Sequence, residues 1–340
     1  MNAWANSGLP QAPDKIINLL NVMKTIEKQG FNTAQGQSYG YAALLKAWEV
    51  IGKNHTKTTR SENYISEILT VLHRMDQEGI EKSATIYNSA IMAMASFSPL
   101  SALLYFLQVE TEYRKGKASI DVRTFNSALS CMAILNKQDV AERSKEIVDR
   151  MWEYSKSDPS VLPDQTTSNI MLKILSRSSS PDSARVADTM LLEMGRPKSN
   201  VDISPAYVTV IIAWGRSNDA EKFERVQNLL ERYQKDTQQG AHSKSSSPIV
   251  YNSALSVCQH NVNTEWNPKA VDTMWFALEQ LRQSKYAKPD QNTYVTLFQA
   301  INHLLKDAAE RYVALEKEFA NCIKDGLVCQ PILEALYGSC

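Results

Sequence analysis

The chain has 340 residues, 43% of them hydrophobic and 22% charged, a balance that supplies a buried core and excludes a disordered chain. Lys plus Arg equals Asp plus Glu at 37 each, which excludes a global basic field, so any polyanion must be met by a local stripe. The five cysteines form no CxxC pair and fit reduced, packed thiols, and no run approaches the roughly 18 apolar residues of a membrane span, so no membrane partner is expected.

In chain order, MNAWANSGLPQAPDK has no arginine and no apolar core, so it is not read as a targeting segment. Residues 14–30 then predict one helix, which together with the preceding tail makes an N-terminal capping segment, 1–37. From residue 38 a pattern recurs: an aromatic or small residue, an anchor position, then an apolar helix-forming stretch. The anchors are Ala42, Asn88, Asn126, Asn169, Val208, Asn252 and Val295, with steps of 46, 38, 43, 39, 44 and 43 residues. Steps of this size belong to stacked helical hairpins.

A second apolar stripe follows each anchor helix, as at Val140, Ile147, Val148, Met151 and Trp152, or Val271, Trp275, Leu278 and Leu281. Each unit therefore predicts helix, turn, helix. The joints carry helix breakers: EGIEKS at 78–83, VLPDQ at 161–165, KSSSPI at 244–249 and AKPDQ at 287–291. The polar run 236–248 predicts an exposed loop. Residues 331–338 predict a lone first helix, so that 331–340 forms a partial C-terminal cap on an array spanning 38–330. No alternation typical of strands is present.

The segments IYNSAI, TFNSAL and VYNSAL, with the junctions AKPDQNTY and VLPDQTTSN, resemble the pentatricopeptide repeat family over roughly residues 38 to 330. The resemblance implies an all-α fold, an α-solenoid or superhelix of about seven stacked hairpins with half-repeat caps. It also implies binding of single-stranded RNA in an organelle, mitochondrion or plastid, one base per repeat, without catalysis or cofactor. The family's reading positions, carried over residue by residue, pair Asn88 with Asp121, Asn126 with Asp164 and Asn252 with Asp290, a combination that tends to read uracil. Asn169 falls opposite Ile203, Ala42 opposite Ser83 and Val208 opposite Ser247, which are weaker pairs, and Val295 has no clear partner.

Each feature also has a plainer reading. The asparagines could form a hydrogen-bonded ladder between units, and Asp121, Asp164 and Asp290 could be helix N-caps. Tyr87, Phe125, Tyr251 and Tyr294, one residue before their anchors, read more readily as core than as stacking platforms. Three residues before each anchor, where the family carries an aliphatic wedge, stand Thr85, Arg123, Thr166, Pro205, Ile249 and Asn292, of which only Ile249 fits. Eight residues after the anchors, Arg177 and Arg216, with His260 and His303, are candidates for phosphate contact or a solvated face.

No HExxH, GxSxG, Walker or dinucleotide-binding motif occurs, and the five histidines, His55, His73, His242, His260 and His303, are dispersed. Neither a metal site nor an enzyme is expected. A protein-interaction scaffold of the same fold, with a protein partner in place of RNA, is the rival expectation.

Overall fold

A single helical hairpin has two apolar faces and cannot bury both alone, so such units form a stable core only by stacking. The computed structural model describes residues 1–340 apart from 31–33, 55–60, 136–138, 179, 194–201, 240–246 and 338–340. His55, His242, Cys340, Gly338 and most of the expected 236–248 loop lie outside the described residues.

Among the described residues the chain is all-α and holds no strand. Helices α1 (Asn2–Ala5) and α2 (Ala12–Lys28) precede seven hairpins: α3 (Ala34–Asn54) with α4 (Ser61–Gln77), α5 (Ala84–Phe97) with α6 (Pro99–Arg114), α7 (Val122–Leu135) with α8 (Val140–Ser155), α9 (Gln165–Leu175) with α10 (Pro181–Glu193), α11 (Ser204–Arg216) with α12 (Lys222–Gln239), α13 (Ile249–Gln259) with α14 (Asn267–Gln283), and α15 (Gln291–Leu304) with α16 (Ala308–Lys324). Helix α17 (Gln330–Tyr337) follows. The chain forms two compact units, Met1–Met171 and Leu172–Cys340. In the first, α3, α5 and α7 pack in succession as a layer of first helices; in the second, α11, α13, α15 and α17 do the same. This is the α-solenoid arrangement within each unit.

Small residues let the first helices approach. A Cβ added at Gly215 would lie 2.5 Å from Val257 Cγ2, so α11 and α13 meet at a distance that only glycine allows. The residues before the anchors fill the space between layers: Tyr41, Phe125 and Tyr294 are fully buried, and Tyr87, Tyr207 and Tyr251 nearly so. They are core, as their constant phase suggests. Three of the hydroxyls are fastened to an acid at the end of their own hairpin's second helix. Tyr41 donates to Glu78 (2.8 Å), Tyr207 to Asp236 (2.5 Å) and Tyr294 to Asp325 (2.6 Å). A buried phenol needs such a partner, and the partner fixes the hairpin's closing angle.

Helices α4, α6 and α16 end on Gly79, Gly116 and Gly326, all at positive φ, with the next amide bonding back to the carbonyl five residues earlier. The EGI junction is one of these stops. Of the described cysteines, Cys131, Cys258 and Cys322 are buried and none forms a disulfide.

Two expectations are corrected. Trp152 lies on the solvent side of α8, 53% exposed, whereas Val140, Ile147 and Met151 face inward. The loop expected from residue 236 is helical through Gln239, because α12 continues through KDTQQ. The N-terminal helix α2 packs on α3 and leaves Leu19, Val22 and Ile26 exposed.

Candidate nucleic-acid interface

Each expected Asn and Asp pair is joined by a direct hydrogen bond from one first helix to the N-terminus of the next. Asn88 Nδ2 donates to Asp121 Oδ1 (3.2 Å), Asn126 Nδ2 to Asp164 Oδ1 (3.1 Å) and Asn252 Nδ2 to Asp290 Oδ1 (3.0 Å). The first two bridges lie in the first unit and the third in the second. The aspartates also cap the helices that follow: Thr124, Thr167 and Thr293 donate their backbone N–H to Asp121, Asp164 and Asp290. Bridging and capping coexist on one carboxylate oxygen.

The capping threonines complete the rungs. Thr167 Oγ1 lies 2.8 Å from Asn126 Oδ1 and 3.0 Å from Asp164 Oδ1. Thr293 Oγ1 lies 2.7 Å from Asn252 Oδ1 and 2.8 Å from Asp290 Oδ1. One hydroxyl proton is thus shared between amide and carboxylate, while the same oxygen accepts the aspartate's own N–H. The role of the threonines was missed by the sequence reading, although DVRT, DQTT and DQNT announce it: an acid three residues ahead of a threonine is a reciprocal cap.

The rung at Asn88 differs. Thr124 Oγ1 sits 3.4 Å from Asp121, Arg123 pairs with Asp121 Oδ2 through Nε (2.9 Å) and Nη2 (2.8 Å), and Asn88 Oδ1 is buried without a partner. Burial alone would push the Asp121 carboxyl up, but Asn88 and Arg123 together hold it below the ordinary carboxylate range. For Asp164 burial is likewise outweighed, there by Thr167 and Asn126. Both groups therefore stabilise the fold above the unfolded carboxylate pKa, and that contribution is lost as pH falls through their depressed values.

Exposure differs along the row. Asn126 is only 7% exposed, Asn88 and Asn252 are half-buried, and Asp164 is exposed. Asn169 is exposed too, and it accepts from Gln165 on its own helix (3.4 Å). Arg177 is exposed just beyond α9. Arg216 donates Nη1 to the Ser176 carbonyl (3.0 Å) at the end of the preceding first helix, and His303 Nε2 donates to the Asn261 carbonyl in the equivalent place (2.7 Å). These side chains fasten helix C-termini, where a donor meets orphan carbonyls and the negative end of the dipole.

The even overall charge conceals a segregation. Helices α5, α7, α9, α11, α13 and α15 contain no Asp or Glu, and carry Arg123, Lys173 and Arg216. Every second helix from α4 to α16 carries two to four acids. These six first helices are thus free of carboxylates apart from the aspartates at their N-termini, whereas α3 carries the buried Glu49, paired with Lys46 and Lys53. Among the described residues no cluster could hold a metal ion, and no helix is long and apolar enough to cross a membrane.

If the threonine is a working part of the rung, Thr293→Val should destabilise the chain by about 1–2 kcal/mol, since Asn252 Oδ1 and the Asp290 N–H both lose their partner. Urea unfolding measures this, and Thr293→Ser should recover most of the loss.

No family model and no curated protein matches the chain. Among solved structures it is similar to the pentatricopeptide repeat protein PPR10 in complex with an 18-nt psaJ RNA element, at 16% identity and a TM-score of 0.36, over 93% of this chain and 49% of that one. It is similar also to PPR10 from maize, at 17% identity and a TM-score of 0.35, over 95% of this chain and 48% of that one. The chain spans about half the length of the solved chains it matches.

Proposed function

We propose that the first-helix face binds single-stranded RNA, with the Asn and Asp rungs meeting base edges and Lys173, Arg177 and Arg216 near phosphates. The observation that carries this reading is the conjunction of first helices that, from α5 to α15, hold no acid of their own with a polar rung that recurs, twice in the first unit and once in the second. A polyanion is repelled by acids, and bases need donors and acceptors at a repeated spacing. Arg216 uses one N–H on Ser176, and its exposed guanidinium keeps others for a phosphate.

The chemistry of the rung favours uracil. Asn126 spends its carbonyl on Thr167 and one amide hydrogen on Asp164, leaving a single donor, and the adjacent carboxylate is an acceptor. A neighbouring donor and acceptor pair complements a carbonyl beside an N–H. Uracil O4 and N3–H present that order, whereas cytosine presents an amino group and an unprotonated N3. An organellar task in transcript processing, stability or translation rests on the family resemblance.

A second reading, in which the rungs are only a ladder within a protein-binding scaffold, is favoured by the 7% exposure of Asn126. A pooled RNA selection at several salt concentrations separates the two. RNA binding predicts enrichment of uracil-bearing sequences, a salt slope of about −2 for three phosphate contacts on a single strand, and weakened enrichment in Asn126→Ala. A ladder predicts that Asn126→Ala loses stability while no sequence is enriched even at low salt.

A further inference from the structure

On the opposite face, α6 departs from every other second helix. It has no charged residue from Pro99 to Val109, and its inward side is already complete with Ala102, Leu103, Phe106 and Val109. Three further leucines point outward at the i, i+4, i+7 spacing of one stripe: Leu100 is 53% exposed, Leu104 62% and Leu107 48%. About half of each side chain is left to solvent. Together with Ile147 of α8 they line a cleft of about 380 Å³, within the range that holds anchored apolar groups.

The α8 side of the cleft is charged, and its cations are already spent. Arg143 pairs with Asp139 (2.6 Å) and Arg150 with the buried Glu110 (2.7 Å). Beside them Glu142, Glu146 and Asp149 form an exposed stripe at i, i+4, i+7, and none has an ion-pair partner among the described residues. An apolar ridge thus borders a groove whose α8 rim holds Glu146, with Glu142 and Asp149 further round the helix; with Lys145 set against these three acids, an excess of two acidic charges remains.

We infer that this groove between α6 and α8 docks a basic amphipathic helix of a protein partner. Its aliphatic residues enter between Leu104 and Ile147, and its Lys or Arg residues lie against Glu142, Glu146 and Asp149. Helix-in-groove recognition needs this combination: an apolar trough for anchors spaced at i, i+3 or i+4, and i+7, and charge on one rim to fix direction. The acidic rim also makes this face unsuited to RNA, so the site is separate from the first-helix face. A second copy of the chain would bring its own acidic stripe to the same rim, which like-charge repulsion opposes.

The test uses a fluorescein-labelled synthetic helix of roughly 18 residues, with leucines at the anchor spacing in a Lys and Gln background, and a twin with Glu for Lys. Fluorescence anisotropy with the full chain should show the basic peptide binding about tenfold or more tightly than the acidic one. Leu104→Ser with Leu107→Ser should weaken the basic peptide about tenfold, and Glu142→Lys with Glu146→Lys should reverse the preference between the twins. All four positions are exposed, so unchanged circular dichroism and urea midpoint serve as the folding control. Equal binding of the twins, no binding of either up to about 1 mM, or a dimer in sedimentation that Leu104→Ser abolishes would each overturn the assignment.

Discussion

Replacing Arg282 with methionine should lower stability by about 3 kcal/mol, more than any single change on the first-helix face. Glu318 on α16 is 1% exposed, and the Arg282 guanidinium from α14 grips both of its oxygens, Nη1 to Oε1 at 3.3 Å and Nη2 to Oε2. Among the described residues the other donor is Asn321 Nδ2, at 3.2 Å from Oε2. With the arginine gone, a carboxylate is left unpaired in a nearly dry site between α14 and α16. Glu318→Gln in the same chain should recover most of the loss. Arg150→Met supplies the contrast. Glu110 is 3% exposed and bonded to Arg150, but Tyr154 OH (3.0 Å) and Arg114 Nη2 (3.4 Å) also reach it. Its carboxylate keeps two donors, so this loss should be the smaller. Urea unfolding of both variants decides the matter: equal losses would show that Glu318 is not isolated as the geometry indicates.

These inter-hairpin ion pairs were not legible in the sequence, and the reason is physical. Arg282 and Glu318 are 36 residues apart, Arg150 and Glu110 are 40 apart, and nothing in either segment marks its charge as buried. The spacing of the asparagines and aspartates was legible because it repeats: Asn88, Asn126 and Asn252 each fall at the start of an apolar helix, with an acid five residues before the next anchor. Periodicity also located the helices, but it could not rank two apolar faces on one helix. Leu104 and Phe106 of α6 look alike in the sequence, yet one is 62% exposed and the other fully buried. Arg216 shows a different limit. A basic residue eight positions past an anchor suits a phosphate and a neighbouring helix end equally well, and only the 3.0 Å bond to Ser176 reveals that it already serves the second.

The sharpest result expected of the first-helix face is a change of base preference in Asp164→Asn. Asparagine is as good an N-cap as aspartate and can still accept from Asn126 and from the Thr167 N–H, so the fold should survive with little loss. What changes is the exposed outer edge of residue 164, where a carboxylate that only accepts becomes an amide that also donates. A base presenting an N–H there loses its partner, and one presenting a lone pair gains it. The position facing this rung should move from uracil toward cytosine, with a relative affinity change of about tenfold, the lower end of what one well-placed base contact discriminates. Competition binding with oligonucleotides that differ by one U or C at each position in turn reads this directly. Asp290, left intact on an equivalent rung, provides the internal control, because its position should keep its uracil preference. If Asp164→Asn leaves every position unchanged while Thr167→Val still destabilises the chain, the rung acts only as a tie between hairpins, and the asparagines recur because stacking requires them.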